Sequence, residues 1–451
     1  MKIYKNIWFV FACLIMVGQI QAQSNLLQSG PMVGYSTMKE VLLWVQTKKA
    51  AKVYFKYWDV KTPAQKLTTE SVTTEKKMGF VAKIVAEVNQ GKKYNYELYI
   101  NDQLVKRPYA LQFQSQTLWQ YRTDPPPFKF VFGSCTFINE KAVDRPGRPY
   151  GGEYHIFKTI VDQKPDFMVW GGDNIYLREV DWNSRTGVIH RYTHMRSLPE
   201  LQALWGGVHH YATWDDHDFG PDNSDASFWN KKLTTEMFKL FWGNPNYGVA
   251  GGISGTFAWN DVQFFMMDDR YFRSSPDDKL KTPQLLGDRQ IEWLIEALKY
   301  SKASFKFVVI GSQVLNNNDF SKSRWAENYS TYPVEQKKLL KAIKDANIPG
   351  VIFLTGDRHH TELSKLTEGT NYPLYDVTIS PFTSGSAGER ARKEKNTIRV
   401  PNTYVGIRNF SVMEVAGPRL NRVLTIKVMD NKGKKLWQYQ IKARDLRPSR
   451  K

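Results

Sequence analysis

Cysteine is nearly missing from this 451-residue chain: Cys13 and Cys135 are the two present. A disulfide scaffold is thereby excluded. After the first twenty residues no apolar run approaches the ~20 residues that a membrane-spanning helix needs. Glycine, at 30 residues, shows no repeat, which removes collagen-like readings. Acidic residues are outnumbered 44 to 63 by Lys and Arg, a net charge of +19 that favours anionic partners without choosing among them. What the chain does have is rings: 25 Phe, 23 Tyr and 14 Trp. With 41% hydrophobic residues and a mean hydropathy of −0.49, that is a globular composition rather than a disordered one.

The first residues have the layout of an export signal. Lys2 and Lys5 precede an apolar run from Ile7 to Gly18, and Ala22 offers a small residue before a cut. We therefore expect a signal peptide over 1–22 and an exported protein, periplasmic or extracellular. Cleavage there removes Cys13 and leaves Cys135 alone. A lone thiol in an oxidising compartment is either buried and inert or held by a metal.

Two textures follow. From about Gly30 to Gln120, short segments such as Val41–Val45, Lys52–Trp58 and Tyr94–Ile100 are rich in β-branched and aromatic residues and broken by Gly and Asn-Asp. They predict an all-β, immunoglobulin- or fibronectin-like sandwich over 23–122, with Tyr54, Tyr57 and Trp58 in its core. Pro125-Pro126-Pro127 then marks a boundary, and 123–451 reads as a second domain. Here short apolar runs (Phe128–Phe132, Phe167–Trp170, Val208–Trp214, Val262–Met267, Phe307–Ile310, Val351–Leu354) alternate with helical patterns. In Asp288–Tyr300, Ile291, Leu294, Ile295 and Leu298 share one face, with Asp288 where a cap belongs. Strand patterns return at Phe410–Val415, Val423–Met429 and Leu436–Ile441, and the basic tail Lys442–Lys451 reads as a frayed terminus. The fold class is α/β: stacked sheets flanked by helices.

The chemistry-bearing residues gather where these strands stop, the place where α/β folds bind ligands. The runs are Gly133-Ser134-Cys135, Gly171-Gly172-Asp173-Asn174-Ile175-Tyr176, Asp215-Asp216-His217-Asp218 and Gly356-Asp357-Arg358-His359. An Asp after Gly at a strand end is as often a turn or helix cap as a ligand. Three carboxylates around an imidazole are harder to dismiss, because they repel one another unless cations lie between them. Asp357 and His359, two apart on extended backbone, point to one side and can share an ion. With Cys135, Asp173 and Tyr176 the set offers thiolate, phenolate, carboxylate and imidazole. Thiolate and phenolate suit a transition metal and carboxylate oxygens suit a hard cation, so one site with both kinds is plausibly heteronuclear.

These residues resemble the alkaline phosphatase D (PhoD-like) family of metallophosphoesterases. Asp268-Asp269-Arg270-Tyr271-Phe272-Arg273 and Leu286-Gly287-Asp288-Arg289-Gln290 look like further signature stretches of that family. The resemblance implies iron(III) on Cys135 and Tyr176, Asp173 bridging to calcium, late ligands Asp357 and His359, Asp216 as a further ligand, and His217 facing the substrate phosphate. The family usually has an asparagine shortly after the histidine run. Here Gly220-Pro221-Asp222-Asn223 leaves open whether Asn223 or Asp222 serves.

The implied reaction is hydrolysis of phosphate monoesters, with diesters possible, by a metal-activated water and without a protein nucleophile. Arg270, then Arg273 and Arg358, are the candidate guanidiniums for the phosphoryl charge; the alternative for each is a structural ion pair with a neighbour such as Asp268. His217 either protonates the leaving group or binds phosphate. Partners are expected to be small phosphorylated substrates or anionic envelope polymers. The Lys pairs are scattered along the chain, so no specific nucleic-acid binding is expected. The rival readings are a phosphodiesterase of envelope polymers, nucleotides or phospholipids on the same site, and a non-catalytic secreted binding protein.

Overall fold

The computed structural model describes residues 26–318 and 328–448, so the segment read as a signal peptide lies outside the described residues. The chain divides into two compact units, Met1–Thr117 with Arg196–His209, and Leu118–Met195 with His210–Lys451.

The first unit is a two-layer β-structure. Its strands are β1 (Leu27–Ser36), β2 (Glu40–Thr47), β3 (Lys52–Asp59), β4 (Val81–Glu87) and β5 (Lys93–Ile100); β2, β3 and β5 fall on the three segments named from the sequence, and β1 and β4 are additional. β1, β2 and β4 form one antiparallel layer, and β3 with β5 the other. Val41, Leu43, Val45 and Ile84 of one layer share a core with Val53, Phe55, Tyr57, Tyr96 and Leu98 of the other. The two-residue period of a strand sends alternate residues of β3 to opposite faces. Tyr57 is accordingly buried, as expected, whereas Tyr54 and Trp58 are not core: Tyr54 stacks on Tyr99 at 5.1 Å and Lys66 lies 4.2 Å from the Trp58 ring. Within this unit Arg196 sits against Trp44 and Trp205, and Tyr96 donates to the Gly206 carbonyl at 2.9 Å.

The second unit is built on two stacked sheets. One has the order β17-β16-β15-β6-β7-β8, with β6 (Phe128–Gly133), β7 (Phe167–Gly171), β8 (His209–Thr213), β15 (Asn409–Ala416), β16 (Val423–Asp430) and β17 (Lys435–Lys442). The other runs β9-β10-β11-β12-β14-β13, with β9 (Gly255–Trp259), β10 (Val262–Met266), β11 (Phe305–Ile310), β12 (Val351–Thr355), β13 (Glu362–Leu366) and β14 (Leu374–Thr378). The central strands β10, β11, β12 and β14 are parallel, as are β6 and β7. Rings hold the two sheets face to face: Phe130 meets Phe264 and Phe307 edge-on at 5.3 and 5.6 Å. Burying rings of this size is the main favourable term for such a core.

Two local expectations change. The helix Asp288–Tyr300 starts from Gly287, whose φ of 79° suits a glycine, so Asp288 stands in the first turn and pairs with Lys338 at 2.7 Å. The described part of the tail is not frayed: Lys442 ends β17, and Ala443–Leu446 forms a 3₁₀ turn that buries Leu446 completely.

Candidate metal centre

Each donor motif follows the carboxyl end of a strand: Cys135 after β6, Asp173 and Tyr176 after β7, Asp215 to Asp218 after β8, and Asp357 and His359 after β12. The backbone turns sharply there. Cys135, Asp173, Asn223, Asp357 and His359 all have positive φ, between 52° and 64°. Left-handed backbone costs a non-glycine residue on the order of 1 kcal/mol or more, and such residues gather at functional sites. The extended conformation expected for Asp357 and His359 is therefore not found; both lie in a left-handed turn. Gly172 (φ 103°) allows a close approach, since a Cβ there would lie 2.8 Å from the Asp215 Cβ.

The folding brings two donor groups together around one carboxylate. Cys135, Asp173 and His359 place one ligating atom each within 4.8 Å of one another, and so do Asp173, Asp216 and His217. Asp173 belongs to both. Its Oδ2 lies 3.7 Å from the Cys135 Sγ and accepts from the Tyr176 hydroxyl at 3.1 Å, while its Oδ1 accepts from the His217 amide at 3.3 Å. The Tyr176 hydroxyl is also 3.3 Å from the His359 Nε2, and its ring lies 4.2 Å from the His217 ring. Asp357 is in neither group, and its carboxylate stands 4.0 Å from the Arg358 Nη1.

The short helix α1 (Asp216–Phe219) carries the second donor group. Asp215 caps it, and Asp218 returns the contact as a capping box. Asp218 also receives the Asn174 amide at 3.0 Å and the Asn174 side chain at 3.1 Å, tying the β7 turn to α1. Asp216 accepts from the Asn223 amide at 2.6 Å, so Asn223 meets it through backbone. The Asp222 carboxylate lies 3.6 Å from the His217 Nε2.

Electrostatics agree with a site built around positive charge. Burial pushes the Cys135 thiol up to about 12, and burial with the nearby Asp216 carboxylate raises Asp173 well above the carboxylate range. Tyr176 is raised by burial and by Asp173. Asp216 goes the other way: burial opposes ionisation, but His217 and Arg270 hold its carboxyl low. A cation among these donors reverses the three upward shifts, because it favours each ligand's anionic form. Thiol, phenol, imidazole and carboxylate converging from four strand ends fit a metal pair better than any purely structural polar cluster.

The three arginines are placed differently from the donors. Arg270 is wholly buried, with its Nε 2.6 Å from the Asp215 Oδ1, its Nη2 on the same oxygen and Asp269 at 3.7 Å, while its amide donates to Asp268 at 3.0 Å. Arg273 donates to the Tyr332 hydroxyl at 2.9 Å. Arg358 donates to Glu394 at 2.6 Å and keeps a side chain 12% exposed. Three contributors carried no local signal in the sequence. Tyr150 puts its hydroxyl 3.0 Å from the His359 Nδ1, Ser384 stands 3.4 Å from the His359 Nε2, and Ser380 donates to the Cys135 Sγ at 3.1 Å.

Comparison with known proteins gives the same reading. Residues 245–415 match the model of the PhoD-like phosphatase family, and 24–118 match a domain of unknown function, DUF7800. The chain is 22% identical over 349 residues to alkaline phosphatase D of Bacillus subtilis, a match that covers 65% of this chain and 57% of that protein's length. The solved structure of PhoD superposes with a TM-score of 0.75 at 17% identity, covering 94% of this chain and 92% of the other. The family model over 245–415 and the alkaline phosphatase D relative point the same way, and the PhoD structure shares the fold, so the chain is similar to the PhoD-like phosphatases.

Proposed function

We propose that this protein is an exported, metal-dependent phosphoesterase that hydrolyses phosphate monoesters. The observation that carries this is Asp173, one carboxylate shared between a Cys135–His359 group and an Asp216–His217 group. The thiol and phenol side suits iron(III), and the carboxylate side, with Asp216 and either Asn223 or Asp222, suits calcium. Asp357 would complete the set by a change of side-chain rotamer. When bound, such cations polarise a phosphoryl oxygen and acidify water.

The chain's own groups divide the remaining work. His217, whose side chain is 23% exposed, is the donor group open to a substrate, and it either holds the phosphate or gives a proton to the leaving oxygen. Arg358 borders the same turn as Asp357 and His359 and is the guanidinium best placed to meet phosphoryl charge. Arg270 acts through Asp215, keeping α1 and hence Asp216 and His217 in position, while Arg273 is held by Tyr332. The leader 1–22 accounts for export, and 23–122 and 123–451 are the proposed domains. Among the described residues no helix is long and apolar enough to cross a membrane. Phosphodiester hydrolysis on the same site is the second reading; the net charge of +19 suits either ester and does not choose between them.

The test is the initial rate on a chromogenic phosphate monoester and its matching diester, before and after chelation, with Cys135→Ser alongside. Activity lost on chelation and in the variant, with the monoester faster, is the expected result. A faster diester selects the second reading. Neither turnover nor bound metal would leave a binding protein.

A further inference from the structure

The strands that end at the metal centre begin at a different feature. A cleft of about 930 Å³ lies in the second unit at the amino ends of β10, β11 and β12, bordered by Asp261, Lys302 and Gly350 just before those strands. A strand of five or six residues spans ~15–20 Å, so this cleft is well separated from Cys135 and Asp357 at the opposite ends.

Its lining is one-sided in charge. Lys302, Lys306, Arg419 and Arg447 contribute to it, as does Lys299, which is 2.9 Å from Glu296. The one carboxylate of the lining, Asp261, stands 3.0 Å from the Arg422 Nη2. Lys306 is 1% exposed, and its ammonium donates to the Pro349 carbonyl at 2.9 Å. Burial, together with Lys302, brings its pKa down to about 8. A buried ammonium whose charged neighbour is another lysine is costly unless an anion joins it.

Two polar atoms of lining residues stand without a partner among the described residues. Trp119 is 8% exposed, yet its indole N–H has no hydrogen-bond partner among the described residues, and neither has the buried Gln120 Oε1. The first needs an acceptor and the second a donor. Tyr121, 98% exposed, offers a flat ring at the rim. A ligand that satisfies all of these carries negative charge, accepting oxygens and hydroxyl groups. The volume is within the range of small-molecule sites.

We propose that this cleft binds an acidic saccharide, a hydroxylated ring bearing two or more oxyanion groups, at a site separate from the metal centre. The oxyanions meet the exposed Lys302 and Arg447, with Lys306, Trp119 and Gln120 lining the cleft behind them. The site does not depend on the esterase reading, and a sulfated ligand binds it without being a phosphate ester.

The probe is a disulfated uronic-acid disaccharide titrated calorimetrically into the full chain at low ionic strength. The expected result is saturable binding at one site per chain. Lys302→Glu with Arg447→Glu, both exposed, should weaken it at least tenfold, and circular dichroism confirms that this variant folds. Lys61→Glu with Lys76→Glu makes the same change in net charge on the first unit and should leave affinity within twofold. No saturable binding, or equal weakening in the two double variants, overturns the proposal. The first variant should keep its phosphatase rate, which separates this site from the metal centre.

Discussion

Asp215 and Arg270 meet with both side chains fully buried, the Nε of Arg270 2.6 Å from the Oδ1 of Asp215. The same aspartate accepts the Asp216 amide at 3.0 Å and starts α1. The ion pair thus fixes the helix that presents Asp216 and His217. Removing one partner of a buried pair leaves the other charge uncompensated, at a cost of about 3–5 kcal/mol. Arg270→Met should lose that much in urea denaturation, and Arg270→Met with Asp215→Asn should recover part of it. A loss below about 1 kcal/mol in the single variant would show that the pair is not structural.

Tyr150 is expected to orient His359. The hydroxyl lies 3.0 Å from the Nδ1, and where it accepts the Nδ1–H the ring is held in the tautomer whose Nε2 lone pair is free for a metal. Outer partners of this kind are worth about 10–100-fold in metal affinity. Tyr150→Phe should lower affinity by about that factor, measured by competition with a chelator. Tyr150 is 43% exposed and the substitution removes only its hydroxyl, so the melting temperature of the chelated protein should hardly move.

Metal removal should expose the repulsion stored around Asp173. Burial and the Asp216 and Asp215 charges disfavour its carboxylate when no cation is present. Chelation should cost on the order of 4 kcal/mol where metal was held at a thousand times its Kd. Asp173→Asn should bind metal poorly, yet melt at or above the wild type once both are chelated. Thermal scans of the four samples decide this, and a variant less stable than wild type in chelator contradicts the repulsion.

Acid should loosen the first unit through His209. Its Nδ1–H donates to the Gly34 carbonyl at 2.8 Å and its Nε2 accepts the Gln114 amide at 3.1 Å, so the ring is neutral. Burial brings its pKa down to about 4. A folded pKa below the unfolded value means that the unfolded chain binds the proton first. The contribution is complete above pH ~6.5 and is lost as pH falls toward 4, on the order of 3 kcal/mol in all. His209→Gln should flatten the pH dependence of unfolding of this unit across that window. An unchanged slope would assign acid sensitivity elsewhere.

Much of this was legible in order of residues. The runs from Phe128 to Val351 read as strands because continuous β-branched and aromatic stretches suit buried parallel sheets, and the structure places strands on them within one or two residues. Asp288–Tyr300 was legible because its apolar residues repeat at helical spacing, with Ile291, Leu294 and Leu298 buried. The outward face of β3 was misjudged, since aromatic content alone does not say which side of a sheet a ring takes.

The donor motifs are local. Each lies within a few residues of a strand end, so chain order by itself determined that Cys135, Asp173, the Asp215–Asp218 run and His359 are candidates for one site. What only the tertiary structure decided is which atoms meet. Ser380 reaches Cys135 from 245 residues away, Tyr150 reaches His359 from 209, and Arg270 reaches Asp215 from 55. Asp173 becomes the shared carboxylate, and Asp357 stands aside, because left-handed turns re-aim side chains in ways that no spacing rule contains. The reason is physical: hydrophobic periodicity is a property of neighbours along the chain, whereas hydrogen-bond and charge partners are set by how finished elements pack.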